Sequence, residues 1–267
     1  MMSYGEFQER APDALKQYEK TEFIGEVSLR GKVTKFFICN VMTAWRASTV
    51  LTKEPHTIDW LDTLTETDVL YDIGANIGVY SVYAARVRGC RVFSFEPEAS
   101  NYFVLNKNIL INEIDDRCSS FPIAVSSKNE LGYLYMSNMR IGDSNHSAGM
   151  PVSFDLKDMK YRFKQGVSMM TLDHITKMYN LPPPTHLKID VDGLEHFVIA
   201  GAVEAIADEN LKSILIELNT NLDDHQAVIK KLAENNFTYM QEQVTKALKK
   251  QGWNKGLAEY IFTRETP

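Results

Sequence analysis

From residue 69 onward the chain alternates short apolar runs with longer stretches whose apolar positions recur every three or four residues. That alternation predicts buried strands joined by crossover helices, the pattern of a parallel sheet. The predicted strands cover residues 69–73, 91–96, 119–125, 186–191 and 212–218, each rich in Val, Ile or Phe, as a strand covered on both faces requires. Helices are predicted at 77–87, 100–111, 172–179, 194–207 and 223–234. Further strands are predicted at 237–240 and 259–264, and a hairpin strand at 131–136. Two stretches break the rhythm. Residues 1–55 mix polar segments with short apolar runs such as KFFICNV, and read as a small N-terminal appendage ahead of a domain spanning 56–267. Residues 137–166 are punctuated by Gly, Asn, Ser and Pro and read as a long loop; a loop of that length in a compact domain suits a lid over a binding site.

Composition alters this picture little. The 267 residues suffice for one large domain with a conventional core. A formal net charge of −6 argues against a nucleic-acid partner, and the cluster of Lys246, Lys249 and Lys250 reads as a solvated face. No apolar run approaches the roughly 20 residues of a membrane span. The opening MMSYGEFQERAPDALKQYEK lacks the basic-then-apolar layout of a signal peptide, so a cytoplasmic location is expected. Cys39, Cys90 and Cys118 form neither a metal-type pair nor an even disulfide set.

The first strong chemical signal is DIGANIGVYS at residues 72–81. Gly74 and Gly78 flank a strand-to-helix turn, where glycine allows tight backbone and close approach of a ligand to main-chain N–H groups. The next strand ends in FEPE, which places Glu96 twenty-two positions after Gly74. An acid at that distance suits a ribose diol and repels a 2′-phosphate. A dinucleotide site wants a second glycine where this chain has Asn76, and Asp72 would repel a diphosphate. Both features fit S-adenosylmethionine, whose amino-acid end is zwitterionic and whose sulfonium is positive.

DIGANIGVYS, FEPE, TLD at 171–173, LKIDVDGLE at 187–195 and ILIEL at 214–218 occur in order over residues 55–240, and together they resemble the FkbM family of methyltransferases. The resemblance implies an α/β, Rossmann-like class I methyltransferase fold: a seven-stranded, mostly parallel sheet with its last strand antiparallel. It implies S-adenosylmethionine held by Asp72, Gly74, Ala75, Asn76, Gly78, Glu96, Pro97 and Asp190. It also implies methylation of a hydroxyl on a small molecule, natural product or glycan. Family members frequently carry Glu where this chain has Asp192, so the carboxylate is kept with a shorter reach.

Methyl transfer to a hydroxyl needs alignment and a way to handle the proton. The segment KIDVDGLEH at 188–196 leaves a buried strand at its carboxyl end, where open sheets form their sites. Asp190 is expected beside cofactor or acceptor, with Asp192 or His196 as base. Asp192 and Glu195 starting the next helix as caps is the plainer alternative. A second version uses Asp190, Asp192 and Glu217 as ligands for Mg²⁺. Lys188, inside an apolar strand, calls for an acidic partner. N-methylation, or S-adenosylmethionine binding without turnover, stands as the alternative function, and a homo-oligomer stays open.

Overall fold

The computed structural model describes residues 5–6, 12–13, 16–17, 21–250 and 255–265. Most of the segment before residue 21 therefore lies outside the described residues. The chain first forms a hairpin, β1 (Phe23–Leu29) with β2 (Lys32–Ile38), then helices α1 (Val41–Ser48) and α2 (Pro55–Leu61). Asn40 caps α1 by accepting from the Thr43 N–H, and the Thr43 side chain reaches back to the cap, a reciprocal capping box. The hairpin shares the main core: Leu29, Phe36, Ala47 and Val50 are buried with Ile77, Val79 and Leu105.

The main sheet contains β3 (Val69–Ile73), β4 (Arg91–Phe95), β5 (Cys118–Phe121), β10 (His186–Ile189), β11 (Ser213–Asn219), β12 (Phe237–Tyr239) and β13 (Leu257–Arg264). Its order is β12-β13-β11-β10-β3-β4-β5, with β13 antiparallel to both its neighbours and the others parallel. This is the seven-stranded, Rossmann-like arrangement expected, last strand reversed included. All four residues of β10 are buried, as are four of five in β3, which accounts for their unbroken apolar character. Strand order reverses between β3 and β10, and a crevice opens there above the strands' carboxyl ends.

Helices cover both faces. Val79–Val82 (α3) follows β3 and continues as a wider π-turn through Tyr83–Arg88, so the single helix predicted at 77–87 begins two residues late and changes winding. Gly78 enters it in a left-handed conformation at φ 79°. Next come α4 (Ala99–Ile111), capped by Glu98 accepting from the Ser100 and Asn101 N–H groups, and α5 (Leu172–Met178). The helix predicted at 194–207 is two helices, α6 (Glu195–Ala200) and α7 (Val203–Ala207). It breaks at Gly201, where a Cβ would fall 2.1 Å from the Ser126 carbonyl oxygen. Backbone approach, not helix propensity, sets that boundary. α8 (Asp223–Ala233) and α9 (Gln241–Ala247) complete the set.

A four-stranded sheet lies beside the main one: β6 (Ile123–Val125), β9 (Phe163–Met170), β7 (Glu130–Met136) and β8 (His146–Ala148), in that order. The strand predicted at 119–125 is split by Pro122, which has no N–H to give a ladder. Before it β5 pairs with β4; after it β6 pairs with β9. The stretch predicted as loop at 137–166 holds β8, an isolated bridge between Val152 and Asp158, and the start of β9. Among the described residues no helix is long and apolar enough to cross a membrane.

Candidate active site

At the reversal point lies a cavity of about 520 Å³, within the size range of small-molecule sites. Its floor is the turn after β3 and the end of β4. Gly74 has φ 81°, and a Cβ there would fall 1.8 Å from the Asp190 carbonyl oxygen. The glycine therefore lets two strand ends meet, a stricter demand than approach of a ligand. Gly74 and Ala75 both donate their N–H groups to the Phe95 carbonyl, tying the turn to β4. Asn76, at φ 51°, donates from its backbone N to Glu96 Oε2 at 2.7 Å. Glu98 N donates to Glu96 Oε1 at 2.8 Å. Burial outweighs these two bonds and pushes the Glu96 carboxyl up to about 8.

The opposite end holds paired charges. Lys188, 2% exposed, lies 3.6 Å from Asp72 Oδ1 and 3.5 Å from Asp190 Oδ2. Burial opposes its charge, but Asp190, Asp72 and Glu54 outweigh burial and hold the ammonium protonated. Glu54 accepts from Lys53 and, at 2.7 Å, from the Tyr80 hydroxyl. Burial raises its carboxyl, yet Lys53 and Lys188 together keep it well below the usual range. Glu217 pairs with Lys249, whose ammonium is also 4.0 Å from Glu259. Burial and then Asp190 push the Glu217 carboxyl upward against that lysine.

A strap at 138–146 roofs the cavity, fastened mainly through its backbone. The Asn76 side chain donates to the Asp143 carbonyl at 2.7 Å, and Gly142 N donates to the Asn101 side chain at 2.7 Å. Asn40 donates to the Ile141 carbonyl at 2.9 Å, and Arg46 Nε to the Gly142 carbonyl. Asn145 N and His146 N both donate to Asp192 Oδ2, at 2.6 and 3.3 Å. Asp192 itself has φ 55°, and burial followed by the Asp190 charge lifts its carboxyl to about 7. Below it, Glu195 Oε1 accepts from Val191 N and Gly193 N, so this acid shapes the turn that carries Asp190 and Asp192. Burial raises Glu195 to about 8.

Gly74, Ala75, Asn76, Glu96, Pro97, Asp190, Asp192 and Glu217 all line the cavity. Three expected residues do not. Asp72 is 1% exposed and turned beneath the floor, accepting from the Ser81 hydroxyl at 2.5 Å; it reaches the cavity only through Lys188. Gly78 packs against α4, where a Cβ would fall 2.2 Å from Leu105 Cδ1. His196 is not among the lining residues; its ring is 4.1 Å from that of Phe197, which is. The Mg²⁺ version is set aside: among the described residues no group of three or more His, Cys, Asp or Glu is arranged to hold a metal ion. Lys188, Lys249 and the strap N–H groups already occupy those carboxylates.

Lys249, expected on a solvated face, lines the cavity instead. Glu54, Trp45, Arg46 and Asn101 also line it and carried no signal in the sequence; Asn101 sits in the first turn of α4, where its N–H is taken by the Glu98 cap.

The family model described as Methyltransferase FkbM domain matches residues 72–239. The chain is 23% identical over 204 residues to the hexuronic acid methyltransferase AglP of Haloferax volcanii, covering 76% of this chain and 77% of that one. Among solved structures it is similar to precorrin-6y C5,15-methyltransferase from Geobacter metallireducens, with a TM-score of 0.46 and 14% identity over 82% of this chain and 93% of that chain. An rRNA methylase from Streptococcus thermophilus gives a TM-score of 0.46 and 10% identity, covering 79% of this chain and 95% of the other.

Proposed function

The chain belongs to the FkbM methyltransferase family, and from that premise we propose that it transfers a methyl group from S-adenosylmethionine to a hydroxyl of a glycan or a similar polyhydroxylated small molecule. The carrying observation is Glu96. It lines the cavity at the end of β4, with one oxygen held by Asn76 N and the other by Glu98 N. A carboxyl aligned this way keeps lone pairs for the hydroxyl protons of a ribose, and those two donors would favour its ionised form against the burial that raises it. The Gly74–Asn76 turn beside it would take the amino-acid end of the cofactor.

When bound, the sulfonium supplies a methyl carbon made electrophilic by the neighbouring positive charge. The protein's own residues align the partners and take up the proton. Asp190 is the group we assign to the acceptor's proton: it leaves the end of β10, lines the cavity, and its side chain is 33% exposed. Lys188 stands 3.5 Å from one Asp190 oxygen, Oδ2, and leaves Oδ1 to the cavity, whereas Asp192 is spent on the strap and Glu217 on Lys249. The sugar acceptor is supported by AglP, whose name specifies a hexuronic acid methyltransferase.

Isothermal titration tests the reading. S-adenosylhomocysteine binds the wild-type chain, NAD gives no heat, and Glu96→Ala weakens binding by about 2 kcal/mol, roughly thirtyfold. A wild-type chain that releases no heat with S-adenosylhomocysteine sinks it.

A further inference from the structure

Five cations line the cavity: Arg46, Lys53, Arg140, Lys188 and Lys249. Four have carboxylate partners: Lys53 with Glu54, Arg140 with Asp143, Lys188 with Asp72 and Asp190, and Lys249 with Glu217. Arg46 differs. Its Nε donates to the Gly142 carbonyl, and among the described residues its two outer nitrogens make no bond and it faces no carboxylate. Beside it on α1, Trp45 lines the same cavity while 43% exposed, and its indole N–H likewise has no partner among the described residues. A half-exposed indole, with the Lys53 ammonium 6.0 Å from its ring centroid, and a half-satisfied guanidinium on adjacent residues give the cavity an aromatic face next to an unanswered positive fork.

We propose that Trp45 and Arg46 form the acceptor subsite and that the acceptor is a sugar bearing a carboxylate. This rests on the methyl-transfer reading above. A guanidinium whose inner nitrogen is fixed presents its outer pair to a carboxylate in a planar, two-bonded contact that a neutral hydroxymethyl group cannot reproduce. The indole accepts the C–H face of the ring while its N–H is left for a hydroxyl. Of the six lining acids, Glu54, Asp143, Asp190 and Glu217 are paired with Lys53, Arg140, Lys188 and Lys249, and Glu96 and Asp192 are taken by backbone N–H groups, so none is left to recruit a cationic acceptor.

The test is titration of the full chain, saturated with S-adenosylhomocysteine, with a methyl glucuronide and with the matching methyl glucoside. The glucuronide binds about tenfold more tightly to the wild type. Arg46→Gln brings the two sugars within about twofold of each other. Arg46→Lys, which keeps charge without the fork, falls between, and Trp45→Ala weakens both sugars while keeping their ratio. Equal affinities in the wild type, binding of neither sugar included, overturn the proposal, as does an unchanged ratio in Arg46→Gln. Saturation with S-adenosylhomocysteine is measured first, so failure of the methyl-transfer reading shows separately as no binding at that step.

Discussion

The two ends of the cavity solve the problem of buried charge by different means. At the end formed by β3 and β4, Glu96 is held by backbone N–H groups alone, and its carboxyl rises to about 8. At the end formed by β10 and β11, buried charges are held as ion pairs: Lys188 with Asp72 and Asp190, Lys249 with Glu217, and Lys53 with Glu54. The first arrangement leaves an acid ready to respond to a ligand. The second fixes charges whatever is bound. Removing a partner should therefore cost stability at one end and binding at the other.

The largest effect is expected at the paired end. Lys188→Met leaves Asp72 buried without a cation and Glu54 with Lys53 alone, and should destabilise the fold by about 3–5 kcal/mol, read as a lowered urea midpoint. A variant as stable as wild type would erase the distinction between the ends. At the backbone-held end, Glu96→Ala leaves only the Asn76 and Glu98 N–H groups unpaired, so it should lower the urea midpoint less than Lys188→Met while losing the affinity for S-adenosylhomocysteine stated above.

The difference also explains what the sequence made legible. Glu96, Gly74 and Asn76 could be read because a turn held by backbone imposes fixed spacing along the chain. Lys249, Glu54, Trp45 and Arg46 come from segments far from the motif and meet it only through the tertiary fold. Even within the motif, spacing did not reveal direction. Asp72 was placed in the right turn, yet it points at Ser81 and Lys188 rather than into the cavity. The strand-and-helix order was readable because buried parallel strands are nearly all apolar. The breaks at Pro122 and Gly201 were not, since each depends on which backbone lies opposite.

pH sharpens the contrast next. Glu96 and Glu195 keep their protons in the fold up to about 8, whereas in the unfolded chain they ionise near ~4.3. Between those values the folded chain holds more protons, so stability falls as pH rises through that window. Glu96→Gln and Glu195→Gln should each flatten the slope of unfolding free energy against pH. The lysines at the paired end stay protonated throughout that range, while burial raises Glu217 and Glu259 there and adds to the same slope. An unchanged slope in both variants would place the sensitivity elsewhere.

The smallest effect belongs to the strap. Asp192→Asn keeps an acceptor and a side chain that tolerates the left-handed backbone, but loses the charge that receives Asn145 N and His146 N. About 1 kcal/mol should go, seen as faster amide exchange at residues 145 and 146 with the rest of the chain unaffected.

The strap is tied to the rest of the protein by the main-chain atoms of Ile141, Gly142, Asp143, Asn145 and His146, while the side chains of Asn138, Arg140 and Asp143 brace it internally. Ser144, which lines the cavity and whose hydroxyl meets, among the described residues, only the Asn145 side chain at 3.5 Å, can thus be varied without loosening the roof, which makes it a ready handle for altering which molecules the enzyme accepts. Asn138 is not such a handle, because its side chain accepts from Arg140 N at 2.8 Å. Gly142 is the position to leave alone: at φ 87° with Met42 3.0 Å from where a Cβ would stand, it admits no side chain.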